Sequence, residues 1–388
     1  MEAAAAAVAA YRPSTTNTNT RIKTTTTLPL KTVPRRTPSS SILRSPARRV
    51  HRSRAADPKS PPSISSPPSD GLVFDAGPTA RASWDCHVVG SPVVERYLTD
   101  ASERWLMWYH GLGPRGGADA VGIAVSNNGV HWERGSGDVA SGDDVGRVMG
   151  PSTDWWAFDT ERVRPSDVLI MSSAKLRTPG AVYWLYYTGF GPEKVAFPNA
   201  APSENGVSKS LPGLAVSQDG RHWARIEGEH HSGALIDVGA PREWDSLSRD
   251  GIRWVKLGKV LDGGAAGCFD EGGVRCGHVV RDQKDGKYVM VYEGVCGNGR
   301  TSIGLAESVD GLKNWRRCGD GPILSASTED NGWDNQGIGD PCLIRVEGGD
   351  EWRLYYGGSS RSGRTGIGMA VSEGGELGSF SKWKGFNV

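Results

Sequence analysis

Tyr183-Trp184-Leu185-Tyr186-Tyr187-Thr188-Gly189, then Gly213-Leu214-Ala215-Val216-Ser217, then Asp219-Gly220-Arg221-His222-Trp223, is the stretch on which the fold turns. The first segment is apolar on both faces, as a strand buried between stacked sheets must be. The Asp219-Gly220 pair supplies the positive φ of a tight hairpin, and Trp223 follows at a distance that lets it pack over the sheet. Phe158-Asp159 opens this unit.

The same unit recurs on both sides. Upstream stand Trp84-Asp85, Ser91-Pro92-Val93-Val94, Trp105 to Gly111, Gly122 to Ser126 and Asn128-Gly129 before Trp132. Downstream stand Phe269-Asp270, Tyr288 to Gly294, Gly304 to Ser308 and Asp310-Gly311 before Trp315. The last unit has Trp333-Asp334, Trp352 to Gly358 and Gly366 to Ser372. About four short strands in roughly 65-residue units, without helical periodicity, predict an all-β chain built as a β-propeller. A sandwich is the alternative, but it would not repeat one four-strand unit.

The expected blades are one at about 84–150, two at about 155–240, four at about 268–325 and five at about 333–388. A third, at about 244–262, is a remnant. The opening Asp precedes the hairpin Ser by 41, 58, 38 and 38 residues in the full blades, but Asp245 precedes Ser248 by three. The ends of a blade are joined and about 35 to 40 residues of middle are absent. A skipped exon or misjoined gene reading accounts for this fusion. The alternative is a natural four-bladed ring with residues 225–265 as an elaborated loop.

Composition separates the blades from what precedes them. The 388 residues carry 45 Lys+Arg and 44 Asp+Glu, for a net charge of +1. Residues 1–69 hold 12 of the basic groups and two of the acids, leaving 33 basic and 42 acidic groups for the propeller domain, 70–388. All 53 glycines and all 14 tryptophans also follow residue 69. An acidic body without a clustered basic face disfavours nucleic acid as a partner, and no run approaches the roughly 20 apolar residues of a membrane span. The Ser/Thr/Pro/Arg-rich leader, 1–69, reads as a transit peptide and linker for the chloroplast stroma, with the mitochondrion as alternative. An ordinary disordered tail is the other reading. The six cysteines (Cys86, Cys268, Cys276, Cys296, Cys318, Cys342) match no zinc spacing and are expected as free thiols.

The unit Trp-Asp … Tyr-Tyr-x-Gly … Gly-x-Ala-x-Ser-x-Asp-Gly-x-x-Trp resembles the five-bladed propeller superfamily of arabinanases, β-xylosidases, levansucrases and invertases. These are glycoside hydrolase families 43, 32, 68 and their relatives. The resemblance covers residues 72–388 and rests on blade framework. It implies an axial pocket with three carboxylates from the first three blades: a base or nucleophile Asp, a pKa-tuning Asp and an acid Glu. The carry-over is incomplete. Ser91-Pro92 stands where the family has Asp-Pro, and Arg164-Pro165-Ser166-Asp167 displaces the Asp of Arg-Asp-Pro by two positions. The third blade lacks its middle, and Asp340-Pro341 lies in the last blade.

Asp85, Asp159 and Asp340 are the candidate catalytic carboxylates. Because every blade opens with an Asp, the competing reading of Asp85 and Asp159 is a turn cap or a bond to backbone N–H groups. Asp340 and Asp167 have no counterparts at their aligned positions, which are Ser91 and Cys276 for the first and Val93 and His278 for the second. Asp167, Glu271, Arg275, His87 and His278 are the candidate substrate-binding residues, with turn or structural roles as alternatives. Trp108, Trp184 and Tyr356 sit at blade-core spacing rather than at a sugar-stacking site. No metal set and no cofactor motif is read. The expectation is a glycoside hydrolase-like propeller that acts on or binds a plant oligosaccharide axially. The alternative is a non-catalytic carbohydrate-binding or protein-interaction propeller. Oligomeric state is not legible.

Overall fold

A computed structural model describes residues 70–77, 83–98, 103–114, 117, 119–135, 145–171, 182–195, 207–237, 246–248, 254–256, 258–346 and 350–385. The expected leader, Trp244-Asp245 and residues 249–253 lie outside them.

The chain is an all-β propeller with four blades, each an antiparallel sheet running outward from the axis. Strand β1 (Leu72–Asp75) precedes blade one, which holds β2 (Val88–Leu98), β3 (Glu103–Leu112), β4 (Ala120–Ser126), β5 (Glu133–Arg134) and β6 (Arg147–Met149). Blade two holds β7 (Arg162–Met171), β8 (Val182–Val195), β9 (Val207–Ser217) and β10 (Ala224–Ile226). The remnant is one isolated hairpin, β11 (Ser246–Ser248) and β12 (Trp254–Lys256). Blade four holds β13 (Gly273–Arg281), β14 (Tyr288–Val295), β15 (Thr301–Ser308), β16 (Arg316–Arg317) and β17 (Leu324–Ser325). Blade five holds β18 (Gly337–Arg345), β19 (Trp352–Ser359), β20 (Thr365–Ser372) and β21 (Phe380–Lys382). The first strand closes the last blade: β1 pairs with β20 through Leu72↔Gly368 and Phe74↔Ile367.

The expected hairpins form for the expected reason. Gly129, Gly220 and Gly311 have φ of 72°, 72° and 71°, the region glycine enters without steric cost. The preceding Ser accepts the glycine N–H, at 2.9 Å for Ser126, 2.9 Å for Ser217 and 3.1 Å for Ser308.

One clamp repeats in every full blade. The opening Asp lies buried beneath the tyrosine of Tyr-x-Gly and accepts its hydroxyl: Tyr109 to Asp85 at 2.9 Å, Tyr187 to Asp159 at 3.1 Å and Tyr292 to Asp270 at 3.1 Å. Tyr356 reaches Asp334 at 3.5 Å. A cation from the outer edge completes each clamp: Arg134 at 2.7 Å, Arg225 at 2.8 Å, Arg317 at 2.7 Å and Lys382 at 2.6 Å. The opening aromatic stacks on the same tyrosine, as in Trp84–Tyr109 with centroids 5.7 Å apart.

Alternate residues of each aromatic strand face opposite neighbours, as the two-residue period requires. Trp105, Met107 and Tyr109 pack toward blade five, while Leu106 and Trp108 pack toward blade two. Three inter-blade cores result: four with five, five with one, and one with two. The inner strands pack in the order β7, β2, β18, β13. β7 and β13, at the two ends of this order, line one cavity.

Candidate functional site

The axial site is built on a kink shared by the inner strands. Register shifts between Gly90 and Val93, between Arg275 and His278, and between Gly339 and Cys342. At each kink a non-glycine residue takes a left-handed φ: Ser91 at 46°, Cys276 at 49° and Asp340 at 47°. Such backbone is uncommon outside glycine and costs about 1 kcal/mol or more, so the surrounding sheet must enforce it. In blade two Pro165 occupies the corresponding place. Proline fixes φ near −65°, and the shift there falls between Pro165 and Asp167 instead.

Opposite each kink lies the middle residue of Tyr-x-Gly, namely His110, Thr188, Glu293 and Gly357. These pair with Gly90, Arg164, Arg275 and Gly339. The two sets meet at the axis. Glu293 is buried and receives two bonds on Oε1 from Arg275, from Nε at 2.8 Å and Nη2 at 2.6 Å. The Asp340 backbone N–H donates to Glu293 Oε2 at 3.4 Å, and Ser91 Oγ donates to Asp340 Oδ2 at 2.8 Å. A Cβ at 339 would lie 2.2 Å from Glu293 Oε2, so a larger residue there would have to displace that carboxylate. His110 Nε2 lies 3.1 Å from Asp119 Oδ2, and Arg164 stands 3.5 Å from the same oxygen.

Electrostatics set these groups apart. Burial first, and then the neighbouring Asp340 carboxylate, push Glu293 up to about 7 against the opposing pull of Arg275. Burial and the same two carboxylates push the Cys276 thiol well above its ordinary range. Burial lowers His110 and favours neutral imidazole, against the opposing pull of Asp119. Cys276, Glu293 and Asp340 offer ligand atoms within 4.8 Å of one another. A thiol that keeps its proton and a glutamate already held by Arg275 make a poor donor set for a cation. As an acid–base pair, Glu293 and Asp340 suit proton donation beside a second carboxylate.

Of the candidate residues, Asp340 and Arg275 are brought into this one cluster with Glu293. Asp167 and His278 are brought together elsewhere, lining a cavity of about 520 Å³ with Glu95, Leu169 and Leu343. His278 Nδ1 accepts the Leu343 N–H at 3.1 Å, and burial lowers its pKa to about 4. Among the described residues Asp167 accepts the Val168 N–H, at 2.8 Å, and burial raises it to about 6.

The catalytic expectation for Asp85 and Asp159 does not fit their placement. Both carboxylates are 0% exposed in the blade interior, where each accepts from a tyrosine and an arginine on Oδ2. They are also not the expected turn caps, since side chains supply these bonds. Glu271 binds the backbone N–H groups of Gly267 at 2.6 Å and Gly297 at 2.9 Å, tying two loops. His87 is exposed, with Nδ1 3.3 Å from Cys86 Sγ. Glu293 and His110 were missed by sequence reasoning. The signal that could have found them was the changing middle residue of an otherwise constant Tyr-x-Gly.

No protein-family model matches the sequence, and no curated protein is similar to it at a significant level. Solved structures are similar in fold. One, described as a glycoside hydrolase, shares 17% identity over 79% of this chain and 92% of its own, with a TM-score of 0.53. Another comes from work on the family-130 mannoside phosphorylases, described as containing glycoside hydrolases that target β-1,2 mannosidic linkages in Candida mannan. It shares 15% identity over 80% of this chain and 97% of its own, with a TM-score of 0.50. What the chain shares with them is the β-propeller fold.

Proposed function

We propose that this protein is a glycoside hydrolase-like propeller that takes a plant oligosaccharide at its axial cluster. The observation that carries this reading is the Glu293–Asp340 pair, with oxygens within 4.8 Å and Glu293 pushed up to about 7. Glu293 holds a proton near neutrality and can deliver it to a glycosidic oxygen, while Asp340 faces the anomeric carbon. On this reading Asp340 is the second carboxylate that glycoside hydrolysis needs beside the acid. Ser91 and His110 stand beside the pair, ready to bond sugar hydroxyls.

The second reading is a carbohydrate-binding propeller without turnover. Ser91 and Pro165 favour it, since they occupy in blades one and two the place Asp340 holds in blade five. The experiment screens the full chain against aryl arabinosides, aryl xylosides and sucrose, alongside calorimetric titration with plant oligosaccharides. Turnover lost in both Glu293→Gln and Asp340→Asn supports the enzyme. Binding that these changes weaken, without turnover, supports the module. Neither turnover nor binding overturns both. Residues 1–69 are proposed as a plastid address, tested by the destination of a fluorescent fusion in leaf cells.

A further inference from the structure

Resting on the functional proposal above, we infer that the oligosaccharide taken at the axis is acidic, and that Arg162 and Arg164 of β7 seat the carboxylate of a uronic acid residue.

The seat is built where β7 leaves blade one. The Val163 N–H donates to Asp119 O at 3.3 Å, and Arg162 forms a parallel bridge with Asp119. Side chains two residues apart in a strand share a face, so Arg162 and Arg164 stand together on the side opposite the buried Val163. Phe190 lies opposite Arg162 in the register with β8. Its ring carries both guanidiniums, with Arg162 Cζ at 4.5 Å and Arg164 Cζ at 5.5 Å from the centroid. Both side chains are half-buried, and 37% of Arg164 remains exposed, so a ligand can reach them.

The donors of this pair are not filled. The clamp arginines show what a framework arginine does in this fold. Arg134, Arg225 and Arg317 give Nε to a buried Asp at 2.7, 2.8 and 2.7 Å. Each also gives Nη2 to a backbone carbonyl, of Asp75, Gly150 and Asp262 in turn. Arg164 departs from this pattern. Among the described residues its buried Nε has no hydrogen-bond partner, and Nη2 reaches Asp119 Oδ2 at 3.5 Å. Arg162 forms no ion pair and no side-chain hydrogen bond among the described residues, and its guanidinium rests on Phe190. A buried donor without an acceptor is costly, and the planar fork of a guanidinium matches the two oxygens of a carboxylate.

Charge points the same way. Burial pushes Asp119 up, but the neighbouring His110, Arg164 and Arg162 outweigh it and hold the carboxyl below its ordinary range. This one carboxylate, which also stands 3.1 Å from His110, is set against two guanidiniums. The pair is short of one negative charge. A uronate supplies one, a neutral sugar supplies none, and a phosphate dianion brings two beside Asp119.

The seat adjoins the acid pair through His110. On one side His110 meets Asp119 and Arg164. On the other it pairs with Gly90, next to Ser91, whose Oγ holds Asp340 at 2.8 Å. Arg164 and Asp340 both act on His110 through their charges. A ligand held at Glu293 and Asp340 therefore has the arginine pair beyond His110 in the same axial site.

The test titrates the full chain calorimetrically with galacturonate and glucuronate trisaccharides, with their carboxyl-reduced counterparts and with inorganic phosphate. One of the uronates is expected to bind about tenfold or more tighter than its reduced counterpart. Arg162→Gln and Arg164→Gln should each remove most of that margin and leave affinity for the reduced sugar within about twofold. Arg164→Lys keeps the charge without the fork and should recover only part of it. The seat is also read directly in the parent chain from the nitrogen-15 Nε–H resonances of labelled arginine. The Arg164 signal should move with the uronate and stay in place with the reduced sugar, a reading that holds where a variant does not fold. Equal affinity for acidic and reduced sugars, or a margin that survives both Gln changes, overturns the seat and leaves the functional proposal standing. Phosphate that moves the Arg164 signal as far as the uronates do overturns the carboxylate assignment. No binding of either sugar form, with the Arg164 signal unmoved, overturns the seat together with the proposal it rests on.

Discussion

Ser91 Oγ donates to Asp340 Oδ2 at 2.8 Å, joining blades one and five across 249 residues of chain. Both residues hold the same left-handed kink on their inner strands. Ser91→Ala removes one charge-assisted bond and is expected to cost about 1.5–3 kcal/mol, read from urea unfolding. Ser91→Asp sets a second carboxylate against Asp340 and should make one of them hold its proton to higher pH. Carbon-13 titration of labelled Asp side chains checks this, and two ordinary titrations would show that the contact does not persist in solution.

Glu293 gives the axial site a pH signature. Its folded value of about 7 lies above its ordinary 4.5. Stability from the protonated form is complete below pH 4.5 and is lost as pH rises through 7. Glu293→Gln should therefore gain on the parent by up to about 3 kcal/mol between pH 5 and 8, and by little at pH 4. Tm measured across that range decides it. A constant offset at every pH would mean that packing, not titration, separates the two chains.

The buried Asp–Tyr–cation clamps are framework. Asp270→Ala strands Arg317 and Tyr292 and is expected to cost about 3–5 kcal/mol. Tyr187→Phe removes only a hydroxyl and should cost about 1–2 kcal/mol. Denaturant midpoints give both numbers. If Asp85→Asn abolished turnover while leaving the midpoint in place, the framework reading of that aspartate would be wrong.

Asp167 and His278 titrate in opposite senses inside one cavity. Asp167 is raised from 3.8 to about 6, so its contribution is complete below pH 3.8 and lost as pH rises through 6. His278 is lowered from 6.5 to about 4, so its contribution is complete above pH 6.5 and lost as pH falls through 4. Asp167→Asn should raise stability at pH 7 by about 3 kcal/mol and leave an acid-side decline due to His278. Thermal scans from pH 4 to 7.5 test this, and an unchanged profile in Asp167→Asn would remove Asp167 from the account.

Much of the fold was legible because its causes are local. Ser217 to Trp223 encodes its own hairpin through a glycine φ and a serine hydroxyl, and four such units count the blades. The missing middle of blade three was visible as a spacing of three residues, and the structure describes a two-stranded hairpin there. Site residues were harder. Asp85 looked like a site because it is acidic and regular, yet the clamp that consumes it involves Arg134, 49 residues away. Glu293 was passed over inside an apolar strand, where nothing local shows that its side chain meets Asp340.

By itself the sequence determined the strands, the hairpins, the blade count and the place where a blade is cut short. Each follows from periodicity, turn chemistry and spacing within about 65 residues. Only the tertiary structure decided which acids share the axis. Burial and the field of a neighbouring carboxylate set the chemistry of Glu293, and both arise when inner strands distant in sequence are brought around one centre.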